Sequence, residues 1–380
     1  IFTFGGAQRV TAVIAKELSR SYDVTIVTMD DPSEMNLQMY DLATVNLSFR
    51  FFKWPFYKGY KALLCKSYSE QYRKVLPKTD STSHLYGYSS FTADKRKALI
   101  DELNSGHYDV IIGVHAPLAA RLATIKHHLG NAKTIGWVHN SFEALFSKQS
   151  TYIGEELKHH YFYQFKRLDR VVVLCNFDAN RYRNYDKNIN PCVIYNPLTL
   201  SPGALSKGTS KKFLAVGRFS HLHKGFDILI NAFSIFAKND KEWTLDIVGE
   251  GPEETMFREL ISKYSLENRI TIHPFTSDIQ SHYSEAQIYV LSSRWEGFGL
   301  VLVEAMAHGL PVVSSNLPTS HEIMGDFGMY FKNGDAEALA MKLHEATTID
   351  WKEKSEKAIE ISRRFDVETI TAQWVSIIES

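Results

Sequence analysis

The carboxylate with the most unusual surroundings in this sequence is Glu304, which lies in an apolar stretch, residues 300–308, with the pattern of a helix. A buried carboxylate costs free energy unless something donates hydrogen bonds to it. Just before this stretch, Gly297, Phe298 and Gly299 bring bare backbone amides to the predicted helix N-terminus, which suits a phosphate group. The pattern predicts a nucleotide site, with phosphate at the amides and ribose hydroxyls on Glu304.

Two cations in the same half of the chain could hold the rest of an anionic ligand. Arg218 follows a predicted strand, and Lys224 precedes the next predicted helix, with Gly225 leaving room beside it. Arginine and lysine in such positions suit a diphosphate. Taken alone, they could equally be surface charges at a domain edge. Together with the glycine turn that ends at Gly299, they indicate that all these groups bind one anionic ligand.

Two histidines in the first half of the chain, His115 and His139, each follow a predicted strand. A single histidine in such a place is usually structural, but two at neighbouring strand ends indicate a site. The indication is stronger for His139, because Asn140 and Ser141 follow it with further polar groups.

These residues lie at the ends of alternating apolar runs and helical patterns. In the first half, runs at residues 109–114, 134–138 and 170–174 alternate with helical patterns at 116–129 and 153–168. The alternation predicts a parallel, doubly wound sheet, in which sites lie at the carboxyl ends of strands.

The chain opens with the tail of a strand, a turn at Gly5 and Gly6, a helical pattern at 7–20 and a strand at 24–28. The glycine pair would let the backbone approach a ligand, and a plain tight turn is an equal alternative. Residues 196–212 are rich in Pro, Gly, Ser and Lys without periodicity, which predicts an interdomain linker. The α/β pattern then restarts, so we expect two domains, as the length of 380 residues also indicates.

The composition excludes several classes of protein. The 43 basic and 43 acidic residues balance, so nothing global indicates nucleic acid. Three scattered cysteines fit a reducing compartment and show no metal-ligand spacing. No apolar run approaches the roughly 20 residues of a membrane span. The chain begins at Ile1 rather than Met, so we expect the first natural residues to be missing, which leaves a signal peptide open.

Residues 49–78, here the basic aromatic segment, contain eight basic residues, nine aromatic residues and a single acid, Glu70. Such a mixture suits an anionic membrane surface, where rings lie at headgroup depth and lysines meet lipid phosphate. The alternative is a packed segment with a solvated basic face. The candidate contacts with membrane or acceptor are Lys53, Trp54, Lys58 and Lys61.

Three stretches together resemble the retaining glycosyltransferases of the GT4 family. They are GRFSHLHKGFDILINAF at 217–233, IVGEGP at 247–252 and EGFGLVLVEAMAHGLPVVSS at 296–315. Glu296 and Glu304, with seven residues between them, match that family's Glu-x7-Glu motif. The resemblance extends over the whole chain through weaker matches at Gly5-Gly6, Val138-His139-Asn140, the stretch before the linker and the closing helix. One departure is Tyr195-Asn196-Pro197-Leu198, where the family usually has Pro-Asn-Gly, and it concerns the hinge rather than the chemistry.

The resemblance implies an α/β fold of the GT-B class, with two Rossmann-like doubly wound domains facing each other across a cleft. Residues 1–198 would form the acceptor-binding domain, its first strand partly missing. Residues 199–364 would bind the nucleotide-sugar. The helix in residues 365–380 would return to the first domain.

The resemblance also implies roles for individual residues. Arg218 and Lys224 would bind the donor diphosphate and stabilise the leaving group, helped by the amides of Phe298, Gly299 and Leu300. Glu304 would take the ribose hydroxyls, Glu296 would face the donor sugar, and His139 would lie over that sugar. Further donor contacts would come from Gly5, Gly6, Gly217, Gly297, Gly249 and Phe275, the last two in loops that frame the base. His115 would contact the acceptor.

The activity implied is retaining, metal-independent transfer from a nucleotide-sugar co-substrate, with no cofactor, through front-face substitution. We expect a UDP-sugar donor and a glycan or lipid-linked acceptor in cell-surface polysaccharide biosynthesis, in the cytoplasm and peripheral at the inner face of the membrane. One alternative is the same fold with other chemistry, such as a nucleotide-sugar epimerase or a soluble phosphorylase-like enzyme. Another is a non-catalytic nucleotide-sugar-binding partner subunit. Homo- and hetero-oligomers are both open.

Overall fold

The computed structural model describes residues 6–29, 47–55, 59–148, 150, 152–200, 203–219 and 221–380. The chain divides into two compact units. Unit 1 comprises Ile1–Pro197 together with Val367–Ser380, and unit 2 comprises Leu198–Asp366.

Unit 1 alternates helices with short strands. In chain order its elements are α1 (Gly6–Leu18), β1 (Val24–Thr28), β2 (Leu47–Phe51), α2 (Tyr60–Lys74), α3 (Asp80–Ser90), α4 (Ala93–Ser105), β3 (Val110–Val114), α5 (Ala116–Ile125), β4 (Lys133–Trp137), α6 (Phe142–Phe146), α7 (Lys158–Phe165), β5 (Arg170–Val173), α8 (Asn176–Tyr185) and β6 (Cys192–Val193). Strands β3, β4, β5 and β6 form a parallel sheet in that order, and β1 pairs in parallel with β2. Every described strand pairing of unit 1 is therefore parallel, as the alternating pattern predicts.

Two helices of unit 1 are shorter than their sequence patterns predict. The pattern at 116–129 gives a helix that stops at Ile125 and continues as a 3-10 turn, Lys126–His128, before Gly130 turns the chain with a φ of 61°. The pattern at 153–168 gives a helix that starts at Lys158, because Gly154 has a φ of 96° and only a 3-10 turn follows it directly. In both places the stretch of sequence with helical apolar periodicity is longer than the α-helix that forms.

Unit 2 contains one larger sheet. Its elements are β7 (Lys212–Val216), α9 (His221–Lys224), α10 (Phe226–Phe236), β8 (Thr244–Val248), α11 (Glu254–Lys263), β9 (Ile270–His273), α12 (Ile279–Glu285), β10 (Ile288–Leu291), α13 (Leu300–Ala307), β11 (Val312–Ser315), α14 (Pro318–Met324), β12 (Met329–Phe331), α15 (Ala336–Ala346) and α16 (Trp351–Ser362). The strand order is β12-β11-β10-β7-β8-β9, with all pairings parallel. The carboxyl ends of β7 and β10, after which Arg218 and Glu296 lie, are therefore neighbours in the sheet.

The predicted linker is fixed to unit 2 rather than free. The amide of Leu198 donates to the carbonyl of Phe365 at 2.7 Å, and the amide of Ser206 donates to the carbonyl of His308 at 3.0 Å. Before Lys212, the first residue of β7, its described residues form no helix or strand, in agreement with the lack of periodicity. Tertiary hydrogen bonds replace the secondary-structure ladder that this segment lacks.

The last helix, α17 (Val367–Glu379), packs in unit 1. Its Trp374 is fully buried, with its ring centroid 4.5 Å from that of Trp137 at the end of β4. Near its end, Glu379 accepts a hydrogen bond of 2.7 Å from the hydroxyl of Tyr22. Among the helices described, none has the length and apolar character needed to cross a bilayer.

Candidate active site

Lys224 and Glu296 form a nearly buried ion pair in unit 2. The ammonium of Lys224 donates to Glu296 Oε1 at 2.7 Å, and the hydroxyl of Ser293 donates to the same oxygen at 2.6 Å. The two charged side chains are only 14% and 7% exposed, respectively. The pair joins the end of α9 to the loop before α13. Two residues 72 positions apart in the sequence are therefore in direct contact.

The charges around Glu296 keep it ionised. Burial alone would raise the pKa of its carboxyl, but Lys224, together with His223, outweighs burial and holds the pKa well below its usual range. The Nε2 atom of His223 lies 3.7 Å from Glu296 Oε2, within ion-pair distance but beyond a hydrogen bond. At neutral pH, Glu296 is a hydrogen-bond acceptor and not a proton donor.

Two glycines make this geometry possible. A Cβ at Gly217 would lie 3.1 Å from the Lys224 side chain, which crosses directly over that glycine. Gly225 has a φ of 64°, and a Cβ there would lie 2.2 Å from the carbonyl oxygen of Ser292. The turn after Lys224 can therefore press against the end of β10, where the hydroxyl of Ser292 donates to the Lys224 carbonyl at 2.9 Å.

Arg218 differs from Lys224 because it is exposed and lacks a partner. It lies two residues after the end of β7, and within the described part of the chain its side chain has no hydrogen bond or ion pair. The guanidinium is therefore available to an anion at the carboxyl edge of the sheet.

The loop before α13 is held by contacts that no local pattern reveals. Arg294 makes a two-pronged ion pair with Asp227 of α10, at 3.0 and 2.8 Å, and its amide donates to the His223 carbonyl at 2.7 Å. The ring of Trp295 stacks on that of His223 with centroids 5.2 Å apart. Sequence reasoning missed the roles of these residues and of Ser293. In the sequence, only the position of His223 beside Lys224 could have indicated a role for one of these residues.

The N-terminus of α13 directly follows a glycine in the left-handed conformation. Gly299, with φ 94° and ψ 53°, directly precedes Leu300, the first helical residue. The first amides of a helix have no partner within it, so those at this end can donate to a phosphate. Phe298 is buried and anchors the turn, its ring edge-on to that of Phe365 at 5.7 Å.

Glu304 has the hydrogen-bond donors that its burial requires. It is 2% exposed, and its Oε2 accepts from the hydroxyl of Tyr283 at 3.0 Å. Thr199 donates to Oε1 at the longer distance of 3.5 Å. The ring of Tyr283 is stacked on that of His308, with centroids 4.9 Å apart. Each carboxylate oxygen accepts more than one hydrogen bond, so Glu304 retains capacity for ribose hydroxyls. Sequence reasoning missed Tyr283 and Thr199.

In unit 1, His139 is buried at the end of β4, and neither of its ring nitrogens has a hydrogen-bond partner among the described residues. Burial, and secondarily His115, holds the pKa of His139 well below its usual range, so the ring is neutral. The two imidazole centroids are 5.1 Å apart. His115 has φ 71° and ψ 149°, a strained conformation for a residue other than glycine. Unpartnered nitrogens beside a strained strand end are typical of a ligand site.

The other predicted positions are distributed over both units. Gly6 begins α1, and Gly5 and Lys58 lie outside the described residues. In unit 2, the Gly249 amide donates to the His273 carbonyl at 3.0 Å, and Phe275 is 38% exposed just beyond β9.

Trp54 is less exposed than the lysines predicted beside it. Lys53 and Lys61 are exposed, but Trp54 is half-buried, with its ring edge-on to Phe52 at 4.8 Å and to Phe91 at 5.6 Å. The ring thus packs partly within unit 1, and the membrane or acceptor contact at Trp54 stays a prediction.

One group of potential metal ligands occurs among the described residues. The ligand atoms of Asp246, His273 and His282 lie within 4.8 Å of one another. The carboxylate of Asp246 is already paired with the Lys212 ammonium at 2.9 Å, which opposes a second cation there. None of these three residues is a predicted donor contact.

Comparisons with known proteins agree with these motifs. Residues 4–201 match the family described as Glycosyltransferase Family 4, and residues 200–365 match Glycosyl transferases group 1. The chain is 34% identical over 231 residues to an uncharacterised glycosyltransferase of Haemophilus influenzae, covering 60% of this chain and 62% of that protein. It is 27% identical over 221 residues to the amylovoran biosynthesis glycosyltransferase AmsD of Erwinia amylovora, covering 55% and 62%. The matched part thus spans less than two thirds of each relative.

A solved structure shows the same fold. The crystal structure of HepE from Anabaena, in complex with UDP and glucose, aligns with a TM-score of 0.74 at 20% identity, covering 99% of this chain and 96% of HepE. That shared fold is the GT-B fold, so the predicted fold class is confirmed. With both halves matched, the chain belongs to glycosyltransferase family 4.

Proposed function

We propose that this protein transfers a sugar from a UDP-sugar to a glycan or lipid-linked acceptor during cell-surface polysaccharide biosynthesis, with retention of anomeric configuration and without a metal. The observation that carries the proposal is that unit 2 contains the buried Lys224–Glu296 pair together with the exposed Arg218 and the amides at the start of α13. Family membership and the names of AmsD and HepE support the reaction class, and the UDP bound to HepE supports the donor.

Lys224, Arg218 and the α13 amides would hold the donor diphosphate. Fixed positive groups aimed at the departing oxygen stabilise its developing charge, which is usually the largest single contribution to such a reaction. Lys224 would divide its donors between Glu296 and the diphosphate. Because an ammonium has three donors, it can serve both at once.

The two glutamates would recognise different parts of the donor. Glu296 is ionised at neutral pH and already fixed by Lys224 and Ser293, so it would accept hydrogen bonds from sugar hydroxyls. Glu304, fixed by Tyr283, would accept from ribose hydroxyls.

Retention of the anomeric configuration would result from front-face substitution. The bond from the sugar C1 to the diphosphate oxygen breaks while the acceptor oxygen bonds to C1 on the same face. The acceptor proton passes to the departing phosphate oxygen, so no enzyme nucleophile is needed. His139 is neutral, and its ring nitrogens have no partner in the part of the chain that the structure describes, so it would hydrogen-bond the donor sugar.

Association with an anionic membrane would involve the exposed face of α2. Tyr60, Leu63 and Leu64 are 72%, 72% and 64% exposed, and Lys61 and Lys66 are exposed beside them. Apolar and basic side chains presented together suit an anionic bilayer surface. Because Trp54 is half-buried, the exposed face of α2 would provide most of this contact.

The experiment that tests the function is a screen of nucleotide-sugars by thermal shift, followed by product analysis with the best ligand. Ligand binding raises apparent stability by mass action. We expect a UDP-sugar to give the largest shift, and NMR of the product to show the donor's anomeric configuration in EDTA-treated enzyme. Binding without turnover over a panel of acceptors would favour a non-catalytic subunit, and an inverted product would refute retention.

A further inference from the structure

Unit 1 contains a cavity of about 230 Å³ between α2, α3, α5 and α7. Two arginines line it, Arg73 from α2 and Arg121 from α5, together with the hydroxyl-bearing side chains of Tyr161 and Thr124. None of these residues belongs to the predicted donor site.

Arg121 is a half-buried cation without an anion. Among the residues that the structure describes, no carboxylate lies within ion-pair distance of it, and its guanidinium faces the rings of Trp54 and Phe91 at 5.0 and 5.9 Å. Burial lowers its pKa, and only Tyr161 acts in the opposite direction. A cation withdrawn from water without a partner is unfavourable, so an anionic ligand would relieve a cost that the folded chain otherwise bears.

The groups around Arg121 are donors. Burial raises the pKa of Tyr161 to about 12, so this phenol is protonated, although both arginines act to lower it. Arg73 interacts with Tyr86 and, at longer range, with Glu156. Glu156 does not line the cavity.

One more unsatisfied donor lies beside the cavity without lining it. Gly87 lines the cavity, and a Cβ there would lie 2.7 Å from Nε2 of Gln164. Gln164 is fully buried, and this amide nitrogen has no hydrogen-bond partner within the described ranges. The absence of a side chain at Gly87 therefore leaves space next to this donor.

We propose that this cavity binds an oxyanion of the phosphate class, a phosphate or diphosphate group held chiefly by Arg121 and Arg73. Arginine forks match the oxygens of phosphate, and the volume suits a group of that size rather than a whole glycan. Because α2 supplies both Arg73 and the exposed apolar face, the group would be the phosphate of a lipid-linked acceptor. That identification rests on the proposed function, whereas anion binding itself does not.

The test is a calorimetric titration of the full chain with pyrophosphate in saturating UDP, which occupies the donor site. We expect Arg121→Met to weaken pyrophosphate binding about tenfold or more, because it removes charge-assisted hydrogen bonds. The same variant should unfold at an unchanged or higher temperature without pyrophosphate, since it removes an unpaired buried charge. Arg170→Met, which removes an exposed arginine of the same unit, should behave as wild type.

A second arm distinguishes the sources of the anion. Neutral phosphatidylcholine vesicles, with and without a polyprenyl phosphate, are floated with wild type and Arg121→Met. Arg121-dependent binding in this arm assigns a lipid phosphate, and the same dependence only with pyrophosphate assigns a soluble one. Equal behaviour of wild type and Arg121→Met in both arms overturns the proposal.

Folding and function remain separable in this design. Should Arg121→Met fold poorly, Arg73→Met changes an exposed position and should still weaken pyrophosphate binding severalfold, whereas wild-type affinity in that variant would count against the site. UDP binding and sugar transfer are recorded for every variant. Loss of pyrophosphate binding with intact UDP binding supports the cavity whether or not transfer occurs.

Discussion

At the scale of single residues, Lys224 serves two anions, the carboxylate of Glu296 and, in our proposal, the donor diphosphate. Lys224→Ala should reduce the rate of transfer by about 100-fold or more, the usual effect of removing one donor to a developing charge. It should also destabilise the fold by about 3–5 kcal/mol, because it leaves a buried carboxylate unpaired. Steady-state kinetics and urea unfolding measure the two effects.

The double variant Lys224→Ala/Glu296→Gln separates these effects. Stability should recover largely, since no buried charge is left, while transfer stays low. Lys238→Ala, an exposed lysine in the same unit, is the matched control and should change neither quantity. Transfer at the wild-type rate in Lys224→Ala would refute the proposed site.

The ion pair also predicts a pH dependence of stability. The pKa of Glu296 in the folded chain lies well below that of an unfolded glutamate, which is about 4.3. Its stabilisation is therefore fully present above about pH 4.3 and decreases as the pH falls towards the folded value, because the unfolded chain binds the proton first. The difference in unfolding free energy between wild type and Glu296→Gln should shrink below about pH 4, and a difference that grows on acidification contradicts the assignment.

Glu304 offers a graded comparison. Tyr283→Phe removes the 3.0 Å hydrogen bond and should destabilise the protein by about 1–3 kcal/mol, the cost of leaving a buried acceptor unsatisfied. Thr199→Val removes only the 3.5 Å contact and should cost less, since hydrogen bonds weaken at that length. Chemical denaturation measures both variants, and UDP affinity should fall more in Tyr283→Phe. Equal effects would mean that Tyr283 does not fix the carboxylate.

At the scale of elements, α2 can be tested as a membrane contact without disturbing the fold. Leu63→Ser/Leu64→Ser should reduce flotation with anionic vesicles, because it removes apolar side chains that insert between headgroups. Both positions are exposed, so the free energy of unfolding should change by less than about 0.5 kcal/mol per site.

Leu85→Ser, at a position 54% exposed on α3, is the matched control and should float as wild type does. Flotation of all three proteins to the same extent would remove α2 from the membrane surface.

At the scale of the whole molecule, unit 1 depends on residues from both ends of the sequence. Trp374 of α17 is fully buried beside Trp137, two residues before His139. Trp374→Ala should destabilise unit 1 by about 3–5 kcal/mol through loss of buried surface and the cavity left behind. Calorimetry of the full chain should show this shift while UDP still stabilises unit 2. An unchanged thermogram would show that α17 adds nothing to the unit in which it packs.

The sequence by itself determined the alternation of strands and helices, the family, and the residue types of the donor site. Each of these depends on the types and spacing of residues that are close together in the sequence. Gly225, Gly299 and the Glu-x7-Glu pair belong to this class, since a turn or a short motif needs only residues that are near one another in the sequence. The tertiary structure alone decided which groups satisfy those residues. Lys224 with Glu296, Tyr283 with Glu304 and Arg294 with Asp227 are joined by the order of parallel strands. The tertiary structure also packed Trp54 partly against the core and left Arg121 without an anion among the described residues. Burial and charge pairing depend on contacts between distant segments, which the periodicity of the sequence does not contain.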